Sequence, residues 1–127
     1  MERGKRILLV EDKDIIRDVL TGFLESEGYQ IDEARDGMEA IEKLTEENFD
    51  VVITDIKMPR MDGISLLKEV RKFHPGTDVI IITGYNNRSP QTSLRLGAKA
   101  FIHKSCGDVE TFISKIINAI ENDGEEI

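Results

Sequence analysis

The residues best equipped for chemistry are Glu11, Asp12, Asp55, Thr83 and Lys104, and each stands at or just past the end of a short apolar run. Glu11-Asp12 follows RILLV (Arg6–Val10), Asp55 follows VVIT (51–54), Thr83 closes VIIIT just before Gly84, and Lys104 follows Ala100–His103. Carboxylates gathered in one place repel one another and take up protons unless a cation relieves them. Mg²⁺ accepts an all-oxygen set and is usually held by one or two carboxylates plus a phosphate oxygen. An Asp carboxylate is also a nucleophile that forms aspartyl phosphates. Phosphoryl transfer depends mostly on positioning and on neutralising charge at the equatorial oxygens. In such a site Asp55 would attack, the metal and Lys104 would each neutralise an oxygen, and Thr83 with backbone N–H groups would bind the remainder. A side chain at Gly84 would crowd the incoming group.

These residues are far apart in sequence, so the elements between them must bring them together. Apolar Ile15, Ile16, Val19, Leu20, Phe23 and Leu24 predict one face of a helix over Asp14–Glu27, ended by Gly28. Gln30–Ala34 reads as a weaker strand, and Asp36 as the N-cap of a helix to about Glu46 with Ala40, Ile41 and Leu44 inward. Asp62–Phe73 carries Ile64, Leu67 and Val70 at helical spacing. Ser89-Pro90 opens a further helix that Gly97 closes, and the poor helix formers Asn86 to Pro90 predict that it is short or mobile. Asp108 caps the last helix, whose Val109, Phe112, Ile113, Ile116, Ile117 and Ile120 form a long stripe. Five strands alternating with five helices define an α/β fold, a doubly wound parallel sheet with helices on both faces. The nearly unbroken apolar strands agree, because strands covered on both faces lack in–out alternation. Ligand sites in such sheets lie beyond the carboxyl ends of the strands, where the candidate residues stand.

The bulk properties narrow the function further. A chain of 127 residues, 39% hydrophobic and 33% charged, fits a single domain with a real core. The expected ordered core spans about residues 5–122, with 123–127 frayed. A net charge of −8 disfavours a grip on nucleic-acid phosphates. No segment approaches the roughly 18 apolar residues of a membrane span, and Ile7–Val10 is too short for a secretory core. Cys106 has no partner cysteine for a disulfide or a metal pair. A cytoplasmic location is the default expectation.

Glu11-Asp12, Asp55 through Met58-Pro59 to Asp62-Gly63, Thr83-Gly84, Leu96-Gly97-Ala98 and Phe101 to Lys104 occur in an order that resembles the receiver domain of bacterial two-component response regulators. The resemblance covers nearly the whole length. It implies a flavodoxin-like five-stranded sheet of order 2-1-3-4-5. It also implies that Asp12 binds Mg²⁺ (or Mn²⁺) directly, Glu11 binds it through water, and Asp55 is both ligand and phosphoacceptor. The backbone carbonyl of Lys57 would be a further ligand. The backbone at Lys57 and Gly84, with Lys104, would contact the phosphoryl group, and Thr83 and Phe101 would form the conformational switch. Lys57 and Tyr85 would flank the path of the hydrolytic water, where their bulk would lengthen the phosphoryl lifetime. The implied donor is a sensor histidine kinase or phosphotransfer protein, with any output domain or target outside this chain. Such a domain catalyses only its own phosphorylation and dephosphorylation. One departure stands out: the family places a cis-linked proline after the lysine, and here Ser105 follows Lys104. That loop normally helps to dock the kinase.

Two other functions fit parts of the pattern. An aspartate-nucleophile phosphohydrolase would carry a second Asp two residues after the nucleophile, where this chain has Lys57. A module that only binds, including a flavodoxin-like cofactor binder, would not need Asp12, Asp55, Thr83 and Lys104 together. His74 and His103 lack ligand-like spacing, Met58 and Met61 read as loop packing, and Phe101 suits core and switch roles alike.

Overall fold

Strands β1 (Arg6–Val10), β2 (Gln30–Ala34), β3 (Val51–Asp55), β4 (Asp78–Thr83) and β5 (Ala100–His103) alternate with helices α1 (Asp14–Ser26), α2 (Gly37–Glu46), α3 (Gly63–Phe73) and α4 (Val109–Glu121). They come from a computed structural model that describes residues 4–84, 94–104 and 107–122. The start of the helix expected from Ser89, Tyr85, the Ser105-Cys106 pair and the tail 123–127 lie outside the described residues. Gly97 closes a turn there, with φ of 106° and its N–H 3.0 Å from the Leu94 carbonyl.

The sheet is parallel throughout and ordered β2-β1-β3-β4-β5. Alternation along each strand sends its residues to two separate cores. Leu8, Val10, Val52, Val79 and Ile81 pack with Ala40 and Leu44 of α2 and Leu66, Leu67 and Val70 of α3. Ile7, Leu9, Ile53, Ile80 and Ile82 pack with Leu20 and Leu24 of α1 and Phe112, Ile113, Ile116 and Ile120 of α4. Each α-face core thus takes every second residue, which is why the strands read as continuous apolar runs.

Asp36 and Asp108 cap their helices as expected, and Asp62, expected as the first residue of its helix, caps α3 in the same way. The carboxylates of Asp36, Asp62 and Asp108 accept the backbone N–H of Glu39, Ser65 and Thr111 at 2.9, 2.8 and 2.8 Å. Helix α1 departs from expectation. Leu20 and Leu24 are buried, but Ile15 is 78% exposed and Val19 and Phe23 are 44% and 43% exposed. Successive residues on a helix are turned by about 100°, so in a stripe built of adjacent pairs one member of each pair points away from the sheet. Ile15 and Val19 instead line an apolar groove of about 240 Å³ with Val109, Phe112, Ile113 and Lys104.

This burial difference is measurable. Leu24→Ala should cost about 2–5 kcal/mol in urea unfolding, as buried leucine truncations do. Ile15→Gln should change stability by less than about 0.5 kcal/mol. A comparable loss for both would restore the full six-residue stripe to the core.

Candidate functional site

Strand register does most of the assembly. Val10 lies beside Thr54, Thr54 beside Ile81, and Asp55 beside Ile82, while Thr83 lies beside His103. Glu11 and Asp55 therefore sit one step past paired residues, at the same level on adjacent central strands. Alternation gives Glu11, Asp55 and Lys104 the parity of the face that α1 and α4 cover, and Thr83 the opposite parity. Glu11 and Thr83 are fully buried and Asp55 nearly so.

The three acidic residues converge. One carboxylate oxygen each from Glu11, Asp12 and Asp55 lies within 4.8 Å of the others, the cluster of this kind found among the described residues. Lys104 reaches in from the end of β5. Its Nζ donates to Asp55 Oδ2 at 2.8 Å and to Glu11 Oε1 at 3.1 Å. Its own N–H donates to the Thr83 carbonyl at 2.7 Å, which ties the ammonium-bearing turn to β4. The remaining oxygens of two carboxylates are also engaged. Asp55 Oδ1 accepts the Ile56 N–H at 2.7 Å, and Glu11 Oε2 accepts the Lys13 N–H at 3.2 Å. Asp12 Oδ1, by contrast, is buried without a hydrogen-bond partner among the described residues.

Charge in this pocket is unbalanced. Burial pushes the Glu11 carboxyl above its ordinary pKa and repulsion from Asp55 adds to that, while Lys104 and the Lys13 N–H oppose it. Burial pulls Lys104 down, but its hydrogen bond and attraction to Asp55, joined by Glu11, outweigh this and hold the ammonium above its usual pKa. One fixed ammonium thus serves three acidic side chains. An all-oxygen set with an unpartnered, buried carboxylate oxygen fits a hard divalent cation such as Mg²⁺. Asp12 has the uncommitted oxygen, and the oxygens of Glu11 are already used.

The other expected residues are less concentrated. Lys57 is exposed in the loop after β3. Among the described residues, a Cβ at Gly84 would meet just Lys104 Cδ, at 3.9 Å. Phe101 is half-buried and packs against the core on the α2–α3 side of the sheet. Gly63 has a sharper constraint than its place in a motif suggests, because a Cβ there would lie 2.0 Å from the Asp55 carbonyl oxygen.

Sequence reasoning assigned no role to two arginines that brace the site. Arg17 Nη1 donates to the Glu11 carbonyl at 2.9 Å and Nη2 pairs with Asp14 at 2.6 Å. Arg60 pairs with Asp36 beside the loop after β3. The arginine of α1 lies on the helical face beside the acidic pair, which is a weak signal; Arg60 carries no sequence signal for a partner 24 residues away.

The chain belongs to the response regulator receiver domain family, whose match covers residues 7–117. It is 37% identical over 103 residues to the chemotaxis protein CheY of Thermotoga maritima, covering 80% of this chain and 86% of that protein. It is 41% identical over 95 residues to the sensor kinase CckA of Brucella abortus, covering 73% of this chain but 10% of the kinase. Among solved structures, the response regulator TrrA of Thermotoga maritima, in complex with Mg²⁺-BeF, superposes with a TM-score of 0.78 at 36% identity, covering 91% of this chain and 98% of that one. Receiver domains of this family work in two-component signalling. No helix among the described residues is long and apolar enough to cross a membrane.

Glu11 supplies a pH test of the metal-free pocket. Its folded pKa lies above the 4.5 of a free Glu, so folding favours its protonated form, and that contribution is lost as pH rises through the folded value. Glu11→Gln keeps the neutral form at every pH. In EDTA the variant should therefore melt higher than wild type at pH 7, with the gain shrinking as pH falls through the folded value and vanishing below 4.5. A gain that persists or grows in acid would contradict this reading of the pocket.

Proposed function

We propose that residues 5–122 form one receiver domain that accepts a phosphoryl group on Asp55 from the phosphohistidine of a histidine kinase or phosphotransfer protein. The observation that carries this is the placement of Lys104 Nζ 2.8 Å from Asp55 and 3.1 Å from Glu11, beside the unpartnered oxygen of Asp12. A carboxylate acceptor, a fixed cation and an open metal ligand meet at one point.

In this reading a carboxylate oxygen of Asp55 attacks phosphorus, the P–N bond to the donor imidazole breaks, and the imidazole nitrogen keeps the electron pair. A mixed anhydride forms on Asp55. Asp12 and Asp55, the backbone carbonyl of Lys57, and Glu11 through water would hold Mg²⁺ or Mn²⁺. When bound, the ion supplies charge neutralisation at the phosphoryl oxygens. Lys104 leaves Glu11 to pair with a phosphoryl oxygen, and the backbone N–H groups at Lys57 and Gly84 donate to the others. Thr83 then turns toward the new group and Phe101 takes up the space released, biasing a two-state equilibrium. The opposite strand parity of Thr83 supports that role. Thr83 shares with Phe101 the strand parity of the face that α2 and α3 cover. Lys57 and Tyr85 would set the phosphoryl lifetime through their bulk. The chain is then a signalling domain whose only catalysis is on itself.

The relatives support the cofactor and the donor class. The related TrrA structure contains Mg²⁺ with a beryllofluoride group, and a related protein of Bacillus subtilis, 39% identical over 96 residues, is a sporulation initiation phosphotransferase.

Incubation with acetyl phosphate and Mg²⁺ followed by intact-mass measurement tests the assignment. Wild type should gain one phosphoryl group, Asp55→Asn none, and Lys104→Met should label on the order of 10²-fold more slowly, as loss of one preorganised cation implies. Equal labelling of wild type and Asp55→Asn would remove Asp55 as acceptor.

A further inference from the structure

The loop after β3 is clamped from a direction that the phosphoryl chemistry does not require. Arg60 donates to both carboxylate oxygens of Asp36, Nε to Oδ2 at 2.8 Å and Nη2 to Oδ1 at 3.0 Å. Asp36 at the same time caps α2 through the Glu39 N–H at 2.9 Å. A two-pronged guanidinium–carboxylate pair fixes orientation as well as distance. Arg60 pairs in this way from a left-handed backbone, with φ of 69°. It is the non-glycine residue with positive φ among the described residues. A side chain in that region is strained, and such strain persists only where the surroundings hold it.

Two glycines show how closely the loop is held. A Cβ at Gly63 would sit 2.0 Å from the Asp55 carbonyl oxygen, and a Cβ at Gly37 would sit 2.7 Å from both Cβ and the carbonyl oxygen of Met61. The Gly63 N–H also donates to the Ile56 carbonyl at 2.7 Å. The loop from Ile56 to Asp62 is therefore pressed between the end of β3 and the first turn of α2, with the Asp36–Arg60 pair across its outer side. A cavity of about 510 Å³ runs from Asp12 to this pair, lined also by Arg35, Glu39, Glu42 and Pro59. The clamp thus forms part of the wall of the space that reaches the unpartnered Asp12.

We infer that Asp36 and Arg60 are positioning residues for the metal site, holding the loop so that the Lys57 carbonyl stays in register with Asp12 and Asp55. This rests on the reading of Asp12, Asp55 and Lys57 as metal ligands. A different role makes the opposite prediction. If Arg60 acts only through its charge, it repels the incoming cation, and its removal tightens binding. If it positions the loop, its removal weakens binding although a positive charge has gone.

Arg60→Gly separates the two, because glycine accepts the left-handed backbone without strain. Mg²⁺ should be titrated into the full chain by isothermal calorimetry, with thermal melts in EDTA run alongside. The positioning role predicts that Arg60→Gly binds Mg²⁺ several-fold more weakly, with a melting temperature equal to or above that of wild type. Asp36→Asn, which keeps a capping oxygen but loses the ion pair, should weaken binding by a similar factor. The double variant should be no weaker than either single one, since both break the same clamp. Arg60→Lys should recover part of the loss. Unchanged or tighter Mg²⁺ binding by Arg60→Gly, against a wild type that binds normally, would overturn the inference. Failure of wild type itself to bind Mg²⁺ would instead overturn the metal-site reading on which it rests.

Discussion

Like-charge crowding at the carboxyl end of the sheet is the constraint around which the rest of the molecule is organised. Glu11, Asp12 and Asp55 are held within 4.8 Å of one another, and Lys104 alone among the described residues inserts a cation between them. Left in an apolar interior, such carboxylates would take up protons. The structure keeps them together by covalent continuity with two central strands, whose register is secured by apolar packing on both faces. Hydrophobic burial of the strands thus stabilises an arrangement that electrostatics alone would disperse, and the same unbalanced charge prepares the site for a divalent cation and a phosphoryl group.

Bracing of the two acidic segments comes from opposite sides. Arg17 of α1 holds the carbonyl of Glu11, and Arg60 ties the loop after β3 to the first turn of α2. Both arginines pair with a carboxylate outside the cluster, Asp14 and Asp36, so their charge is largely spent before it reaches the site. The helices that cover the sheet therefore take part in setting its chemistry. Exposed Ile15 and Val19 of α1 and Val109 of α4 share an apolar groove with Lys104.

Much of this was legible in the sequence. Strand positions, the Asp36 and Asp108 caps and the convergence of Glu11, Asp12, Asp55 and Lys104 all follow from local patterns joined to the rule that parallel sheets bind at their carboxyl ends. Local patterns could not say which members of the α1 stripe are buried, because Ile15 and Ile16 are equally apolar and only the packing against β1, β2 and α4 distinguishes them. Nor could they show the pairing of Asp36 with Arg60, since that contact joins two loops through the tertiary fold. Gly63 appeared as part of a motif, but its reason, a carbonyl 2.0 Å from where a Cβ would stand, is visible only in three dimensions.

The central claim is that the acidic cluster, Lys104 and a divalent cation together form a receptacle for a phosphoryl group on Asp55. Fluorine NMR of the chain with beryllium and fluoride, with and without Mg²⁺, tests it most directly, because the complex mimics the acyl phosphate without any donor protein or hydrolysis. The account predicts a bound beryllofluoride signal in wild type that requires Mg²⁺ and is absent in Asp55→Asn. A bound signal that forms equally without Mg²⁺, or that survives in Asp55→Asn, would contradict it.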